Sequence, residues 1–567
     1  PLHSEIRYVS KTGSAQPPYI SWATASDSIS KALNLSVAGD TVYIGAGVYT
    51  EQDLVLGQGV ALIGMGMDET KITYPISNKP LLRMHSGTTL KKIHFERDKF
   101  VNDLPIIFYY EMGLLALIDS CKFEGGSICI SFSFPIENVH IKSSVFLYQQ
   151  NHSLYWGGTL NNFIIENNIF INNHEVRAIS QAFNSTYSVE VRNNLMISEP
   201  IGSFLFFVNA EASNNIAVSL GEIQGDKNYY LSGGKLVNNI SYGAFNNGAV
   251  YLSGNNSIPV KNNVIMNSVL GIRLSSPATQ SVQYNNLWNV PNPYINFTPD
   301  STNISDDPMF MDEDSLNFLL QKYSNLIDSG DPTIVDVDGT RSDIGAFGGP
   351  FGKSYDYLDI APKLPRGIVY TVSGDTVRMK WKRNTESDFS NYQVHRDSVI
   401  GFHPDSTNIL EAIGTDTSYV TYLPIKRMER VVYKVTGVDS QGNQSKGSEE
   451  LVINLVGGID GYQVIPLEYE LYQNYPNPFN PETILPYRLK ERGYVRLRVY
   501  DLKGEIVKDL VNEEQEAGYY EVSFNANQGV RSKNERLASG IYLYRLEVKN
   551  SNDVPIYSSM KKMLFLK

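Results

Sequence analysis

The stretch "VEVRNNLMIS", residues 189–198, sets two adjacent asparagines, Asn193 and Asn194, inside a run whose alternating Val189, Val191, Leu195 and Ile197 read as a half-buried strand. Asparagine is depleted in strands, so a pair of them needs a reason. The pair recurs in "IIENNIFINN" (164–173), "EASNNIAVS" (211–219), "KLVNNISYG" (235–243), "PVKNNVIMNS" (259–268) and "VQYNNLWNV" (282–290). The first members, Asn167, Asn193, Asn214, Asn238, Asn262 and Asn285, are separated by 26, 21, 24, 24 and 23 residues. A unit of that size with short strands cannot bury its own apolar face, so it must stack on its neighbours. Stacked coils of this kind form a parallel β-helix, with equivalent residues about 4.8 Å apart. Asparagine then suits a sharp corner, because it tolerates the left-handed backbone, and its amide can bond to the coils above and below. The six first members are therefore predicted to mark corners and to form a hydrogen-bonded ladder.

Outward from this repeat, degenerate copies appear in "LIDSCKFEG" (117–125) and "HIKSSVFLY" (140–148). Between Thr73 and Asp119 the repeat is irregular, and "FERDKFVNDLP" (95–105) reads as an inserted loop. The full chain of 567 residues, with 44 Gly, 26 Pro, 36 Tyr and 24 Phe, is long enough for two or three mostly β domains. Its net charge of -12 offers no basic face, which argues against nucleic acid as a partner. No apolar run approaches the roughly 20 residues of a membrane span. The opening "PLHSEIRYVS" is not a signal peptide, so the chain is either cytosolic or numbered from a processed end. Cys121 and Cys129 lie in apolar surroundings and read as small core residues, with one disulfide as the alternative.

Roughly the first 350 residues resemble the right-handed parallel β-helix superfamily of pectate-lyase-like proteins. The resemblance rests on the repeat, on an opening "YVSKTGSAQPPYISWATASDSISKALNLSVAGDTVYIGAGVYTE" with an amphipathic capping helix near Ala25 to Val37, and on a closing "DDPMFMDEDSLNFLLQKYSNLIDSGDPTIVDVDGTRSDIGAFGGP". It implies a solenoid over residues 1–355. Family members that cleave acidic polysaccharides use outward strand residues, carboxylates for calcium and an Arg or Lys as base. The position before each corner reads Asp119, Lys142, Glu166, Arg192, Ser213, Val237, Lys261 and Tyr284. Its first four members are the candidate catalytic strip; the competing reading is a charge ladder that fixes register. His174, Glu175 and Arg177 read as a solvated loop. Tyr109, Tyr110, Tyr155 and Trp156 are candidates for sugar stacking or for the core. Asp336, Asp338 and Asp343 around Gly339 resemble part of a calcium loop, with a hydrogen-bonded turn as the alternative.

Beyond the linker "YDYLDIAPKLPRG", residues 362–456 resemble a fibronectin type III domain, with Trp381, Tyr392 and Tyr433 as core residues and Gly442 and Asn443 in a turn. Residues 467–567 resemble the type A C-terminal sorting domain of the type IX secretion system. The hallmarks are Pro476, Asn477, Pro478, Phe479, Asn480 and Pro481, the "YDLKG" turn, and Ser539 and Gly540 at a strand entry. The whole is expected to be all-β, a parallel β-helix followed by two Ig-like β-sandwiches. The resemblance implies export by the type IX machinery of a Bacteroidota-like cell and an extracellular or surface location. It leaves three roles open: a structural or adhesive protein whose self-association could build a filament, a polysaccharide lyase or hydrolase, and a non-catalytic glycan binder.

Overall fold

The computed structural model describes residues 4–74, 79–97, 105–109, 113–132, 136–156, 160–172, 176–181, 189–198, 202–207, 210–220, 228–243, 248–253, 258–275, 281–423, 430–458, 461–465, 468–527, 537–550 and 553–565. The chain divides into two compact units, Pro1–Leu358 and Asp359–Lys567.

The first unit is a parallel β-helix. Among the described residues its wall consists of three parallel sheets. Sheet I has 12 strands from Ile6–Val9 to Val282–Gln283, sheet II has 11 from Gly47–Thr50 to Asn286–Trp288, and sheet III has 11 from Leu54–Leu56 to Asn292–Ile295. The opening stretch supplies one coil: Val189–Arg192 in sheet I, a corner, Leu195–Ser198 in sheet II, then Gly202–Phe207 in sheet III. Register follows the period-two pattern, with Val191 facing Ile165 on one side and Ala212 on the other. One face of each strand is thereby committed to the lumen. That lumen is apolar and stacked. Phe95, Phe123, Phe146 and Phe170 form a column with ring centroids 5.5, 5.0 and 4.7 Å apart.

The corner after sheet I is left-handed at Ser120, Ser143, Asn167, Asn193, Asn214, Asn238, Asn262 and Tyr284, with φ between 50° and 57°. The expected corner position is thus correct for five of the six first members, and the ladder is displaced by one residue. The buried side chains that bond from coil to coil are the second members: Asn168 Nδ2 donates to Asn194 Oδ1 (3.0 Å), Asn194 to Asn215 (2.9 Å), Asn215 to Asn239 (3.0 Å), Asn239 to Asn263 (3.0 Å) and Asn263 to Asn285 (2.9 Å). In the last coil Tyr284 takes the corner, so Asn285 is a ladder residue and Asn303 extends the chain of amides (2.9 Å). The reason is geometric. A residue with φ near 55° turns its side chain away from the lumen, and the next residue points inward, where it is buried and its amide finds protein partners.

Helix Ile29–Asn34 is shorter than the predicted cap. It buries Ile29, Ala32 and Leu33, and Glu51 accepts the N–H groups of Ile29 (2.7 Å) and Ser30 (3.0 Å). Both ends of the loop expected at 95–105 are strand instead, His94–Arg97 with Phe95 in the core and Pro105–Tyr109; residues 98–104 lie outside the described residues. The closing segment lies on the outer face of sheet II. Phe310, Phe318, Leu320, Leu326 and Ile344 pack on Val218, Ile240, Val264 and Met266. Cys121 and Cys129 are free and buried.

The second unit holds two separate apolar cores between antiparallel sheets, consistent with β-sandwiches. The first lies between a three-stranded sheet (Val369–Ser373, Thr376–Lys380, Ser418–Tyr422) and a five-stranded sheet that includes Phe389–Asp397 and Arg430–Asp439. Trp381, Tyr392 and Tyr433 are all buried there, with Trp381 edge-on to Tyr392 at 5.3 Å. The second core lies between Glu470–Leu471, Glu482–Leu489 and Gly518–Asn525 on one side and Ile506–Gln515, Gly493–Tyr500, Gly540–Lys549 and Pro555–Phe565 on the other.

Candidate functional site

Sheet I brings the expected strip into one column. Lys91, Asp119, Lys142, Glu166, Arg192, Ser213, Val237, Lys261 and Gln283 are successive register partners. Gln283, not Tyr284, completes the column, for the same one-residue reason that moves the ladder. The four candidate residues are adjacent in the column, and three of them, Asp119, Glu166 and Arg192, have side-chain partners. Glu166 Oε2 accepts a hydrogen bond from Arg192 Nε at 2.8 Å, and its Oε1 lies 2.8 Å from His140 Nε2. Arg192 also donates to Glu190 at 2.8 Å and stacks its guanidinium 4.7 Å from the Phe351 ring. Burial alone would push the Glu166 carboxyl up, but the bonds from Arg192 and His140 outweigh it and hold it below the ordinary glutamate value. Asp119 faces Lys91 at 3.4 Å and accepts from Ser120 Oγ at 2.9 Å. Lys261 pairs with Asp331 of the closing segment at 2.6 Å.

Among the partners not named from the sequence are His140 and Glu190. Each sits two residues before a column member, so each shares its face; the period of two in "NVHIK" and "VEVR" carries that signal.

Where the closing segment crosses the corner column, the first-member asparagines are used to read its backbone. Asn214 Nδ2 donates to the carbonyls of Ala346 (2.9 Å) and Gly348 (2.6 Å), Asn238 Nδ2 to that of Asp343 (2.8 Å), and Asn262 Oδ1 accepts from the Asp331 N–H (2.7 Å). Gly348 is required for this approach, since a Cβ there would lie 2.9 Å from Asn238 Nδ2 and 2.3 Å from the Asp343 carbonyl. Beyond the covered stretch the column opens into a groove of about 380 Å³, lined by Asn167, Asn193, Asn214, Phe347, Phe351 and Lys353. Asn167 is exposed and Asn193 half-buried, and their side-chain amides hold no hydrogen bond among the described residues.

Asp336, Asp338 and Asp343 do not converge as a cation site among the described residues. Asp336 accepts from the N–H groups of Asp343 (3.0 Å) and Gly349; Asp338 accepts from the Thr340 N–H (3.0 Å) and hydroxyl (2.8 Å). Asp343 accepts from the Asp328 N–H (2.9 Å) and the Tyr357 hydroxyl (2.7 Å). Each carboxylate closes a turn, as Asp does in loops without an ion. Tyr109 and Trp156 point into the core, while Tyr155 is half-buried and stacks on His152 at 5.0 Å. Tyr110, His174 and Glu175 lie outside the described residues, as does the side chain of Arg177.

In the second unit the Pro- and Asn-rich segment lies along the last strand. Asn477 Oδ1 accepts the Leu564 N–H (2.8 Å), the Phe479 N–H donates to the Leu564 carbonyl (2.9 Å), and the buried Phe479 ring sits 5.2 Å from Phe565 and 5.9 Å from Phe524. Ser539 precedes and Gly540 begins the strand Gly540–Lys549. Asp439, Gly442 and Asn443 form a tight turn, with Gly442 at φ 91° and the Asn443 N–H donating to Asp439 Oδ1 at 2.8 Å.

These features define a class: an all-β protein with a parallel β-helix and a second unit of antiparallel sheets. No family model and no curated protein sequence matches the chain. Among solved structures it is similar to pectate lyase Pel9A, at 13% identity and TM-score 0.41 over 61% of this chain and 96% of that one. It is also similar to dimeric latent PorU from Porphyromonas gingivalis, at 15% identity and TM-score 0.21 over 36% of this chain and 20% of that one. Chicken CNTN1 FN1-FN3 domains match at 15% identity and TM-score 0.13, over 36% of this chain and 67% of that one.

Proposed function

We propose that the chain is a secreted structural or adhesive protein of the outer cell surface, exported by a type IX secretion apparatus through its last hundred residues, and that copies self-associate into an extracellular filament. The observation that carries the structural reading is the closure of the charged column. Both oxygens of Glu166 are occupied and Asp119 faces Lys91, so among the described residues this column offers no free carboxylate pair for acid–base chemistry on a polysaccharide. Neighbouring opposite charges in such a column set register, at about 0.2–1 kcal/mol per pair. Incubation of the full chain with acidic and neutral polysaccharides, with and without calcium, is expected to release no unsaturated or reducing ends. Release at enzymatic rates makes the chain a polysaccharide lyase or glycoside hydrolase instead.

Export is supported by the resemblance of residues 467–567 and by the seating of Phe479 against the C-terminal strand. Replacing Phe479 with Ala in the producing cell is expected to leave the chain behind the outer membrane; normal surface delivery would sink this part of the reading. Electron microscopy that finds only monomers at high concentration removes the filament.

A second reading, glycan binding without cleavage, is favoured by the open groove, where two unbonded amides and the exposed Phe351 ring adjoin Arg192. Glycan-array binding that is lost in Asn193→Ala and Phe351→Ala would select it.

A further inference from the structure

Two groups of three metal-ligating side chains converge among the described residues: Asp359, Asp388 and Asp439 in the second unit, and His94, Glu96 and Glu124 on the outer face of sheet II. In the first group Asp439 is consumed by the N–H groups of Gln441 (3.0 Å) and Asn443 (2.8 Å) and by the Asn443 amide (2.9 Å), and nothing more points to a ligand there.

The second group is built differently. His94 and Glu96 flank the lumen residue Phe95 on one strand, so both face outward. Glu124 faces Glu96 from the next coil, and Lys122 faces His94. His94 is only 8% exposed, and its Nε2 is buried without a hydrogen-bond partner. That nitrogen nevertheless lies 3.3 Å from Glu124 Oε2. The ring nitrogen is thus held 3.3 Å from one carboxylate oxygen and within 4.8 Å of a second carboxylate, without a well-aligned hydrogen bond to either. The 3.3 Å separation equals the edge of a tetrahedron of ligands around an ion with bonds of about 2.0–2.1 Å.

We propose that His94, Glu96 and Glu124 form a binding site for a divalent transition-metal ion of the zinc type, with the fourth position open to water. The imidazole nitrogen selects this class over calcium or magnesium, which prefer oxygen ligands throughout. Without metal, the carboxylates are neutralised by lysines: Lys71 contacts Glu96, and Lys122 Nζ lies 3.5 Å from Glu124 Oε2. An incoming ion must displace both ammonium groups. Their competition lowers the affinity and fixes the sign of a lysine substitution.

The test uses the full chain, stripped with chelator and titrated with zinc by calorimetry and with cobalt by visible absorption. The expected result is one ion per chain at this site and the intense visible bands of four-coordinate cobalt. His94→Gln and Glu124→Gln should each weaken binding by about tenfold or more, at least what loss of an outer-shell partner costs. Lys122→Met removes a competitor without touching a ligand, so it should tighten binding, and it remains informative where a ligand variant folds poorly. Absence of binding to the wild-type chain, unchanged affinity in folded His94→Gln and Glu124→Gln chains, or unchanged or weaker binding in Lys122→Met would each overturn the proposal.

Discussion

Replacing Asn239 with Ala tests the architecture in the middle of the ladder. Its Oδ1 accepts both the backbone N–H and the side-chain amide of Asn215, each at 3.0 Å, and its Nδ2 donates to the carbonyls of Ala212 and Val237 and to Asn263 Oδ1, each at 3.0 Å. Alanine removes the only side-chain acceptor facing the Asn215 N–H, in a place water does not reach. The Asn215 amide nitrogen keeps the carbonyls of Val191 (2.7 Å) and Ser213 (3.0 Å), so the loss centres on one orphaned donor. That donor costs about 1–3 kcal/mol, and the lost amide-to-amide bond about 0.5–1.5 more. The expected destabilisation is therefore about 2–4 kcal/mol. Asn239→Asp should cost more at neutral pH, because it turns a buried carboxylate oxygen toward the Ala212 and Val237 carbonyls. The comparison is Asn193→Gly at a corner, where glycine adopts φ near 55° freely; it should stay close to wild type. Guanidinium unfolding followed through buried Trp156 reports the first unit, with the transition treated as local because coil stacks need not unfold as one unit. If Asn239→Ala unfolds no earlier than Asn193→Gly, the inward amides do not carry the ladder and the assignment is wrong.

Two further outcomes follow from the same coordinates. Phe146 is stacked between Phe123 and Phe170, so Phe146→Ala should cost about 3–5 kcal/mol in the same unfolding assay; a loss below about 1 kcal/mol would mean the column collapses onto the gap. Burial pushes the Asp343 carboxyl up to about 6, above its ordinary value of 3.8. A raised folded value means the stabilising contribution is fully present below about pH 4 and is lost as pH rises through 6, a swing of about 3 kcal/mol. Asp343→Asn keeps an acceptor for the Asp328 N–H and should flatten that dependence; parallel stability–pH curves for variant and wild type would contradict it.

What was legible in the sequence, and what was not, divides along one physical line. The repeat, the period of two and the corner preference of asparagine are local, and they were enough for the coil and for five of six corners. Which amide of each pair joins the ladder depends on where a left-handed residue sends the side chain that follows it, and "VQYNNLWNV" hid this because its corner is Tyr284. The charged column was visible as Asp119, Lys142, Glu166 and Arg192, since coil spacing alone lists them. Its closure was not, because His140 and Glu190 act two residues away and Phe351 arrives from the closing segment, about 160 residues later in the chain. Asp336, Asp338 and Asp343 were open in the sequence between a calcium loop and hydrogen-bonded turns, and their oxygens accept hydrogen bonds within that segment while it lies against Asn214, Asn238 and Asn262. The first-member asparagines thus serve two ends. Five of them, Asn167, Asn193, Asn214, Asn238 and Asn262, turn their coils, and where the closing segment covers them their amides hold it down. Where it does not, at Asn167 and Asn193, the same hydrogen-bonding groups are left facing a groove, and any occupant must satisfy amides that elsewhere on this column bind polypeptide backbone.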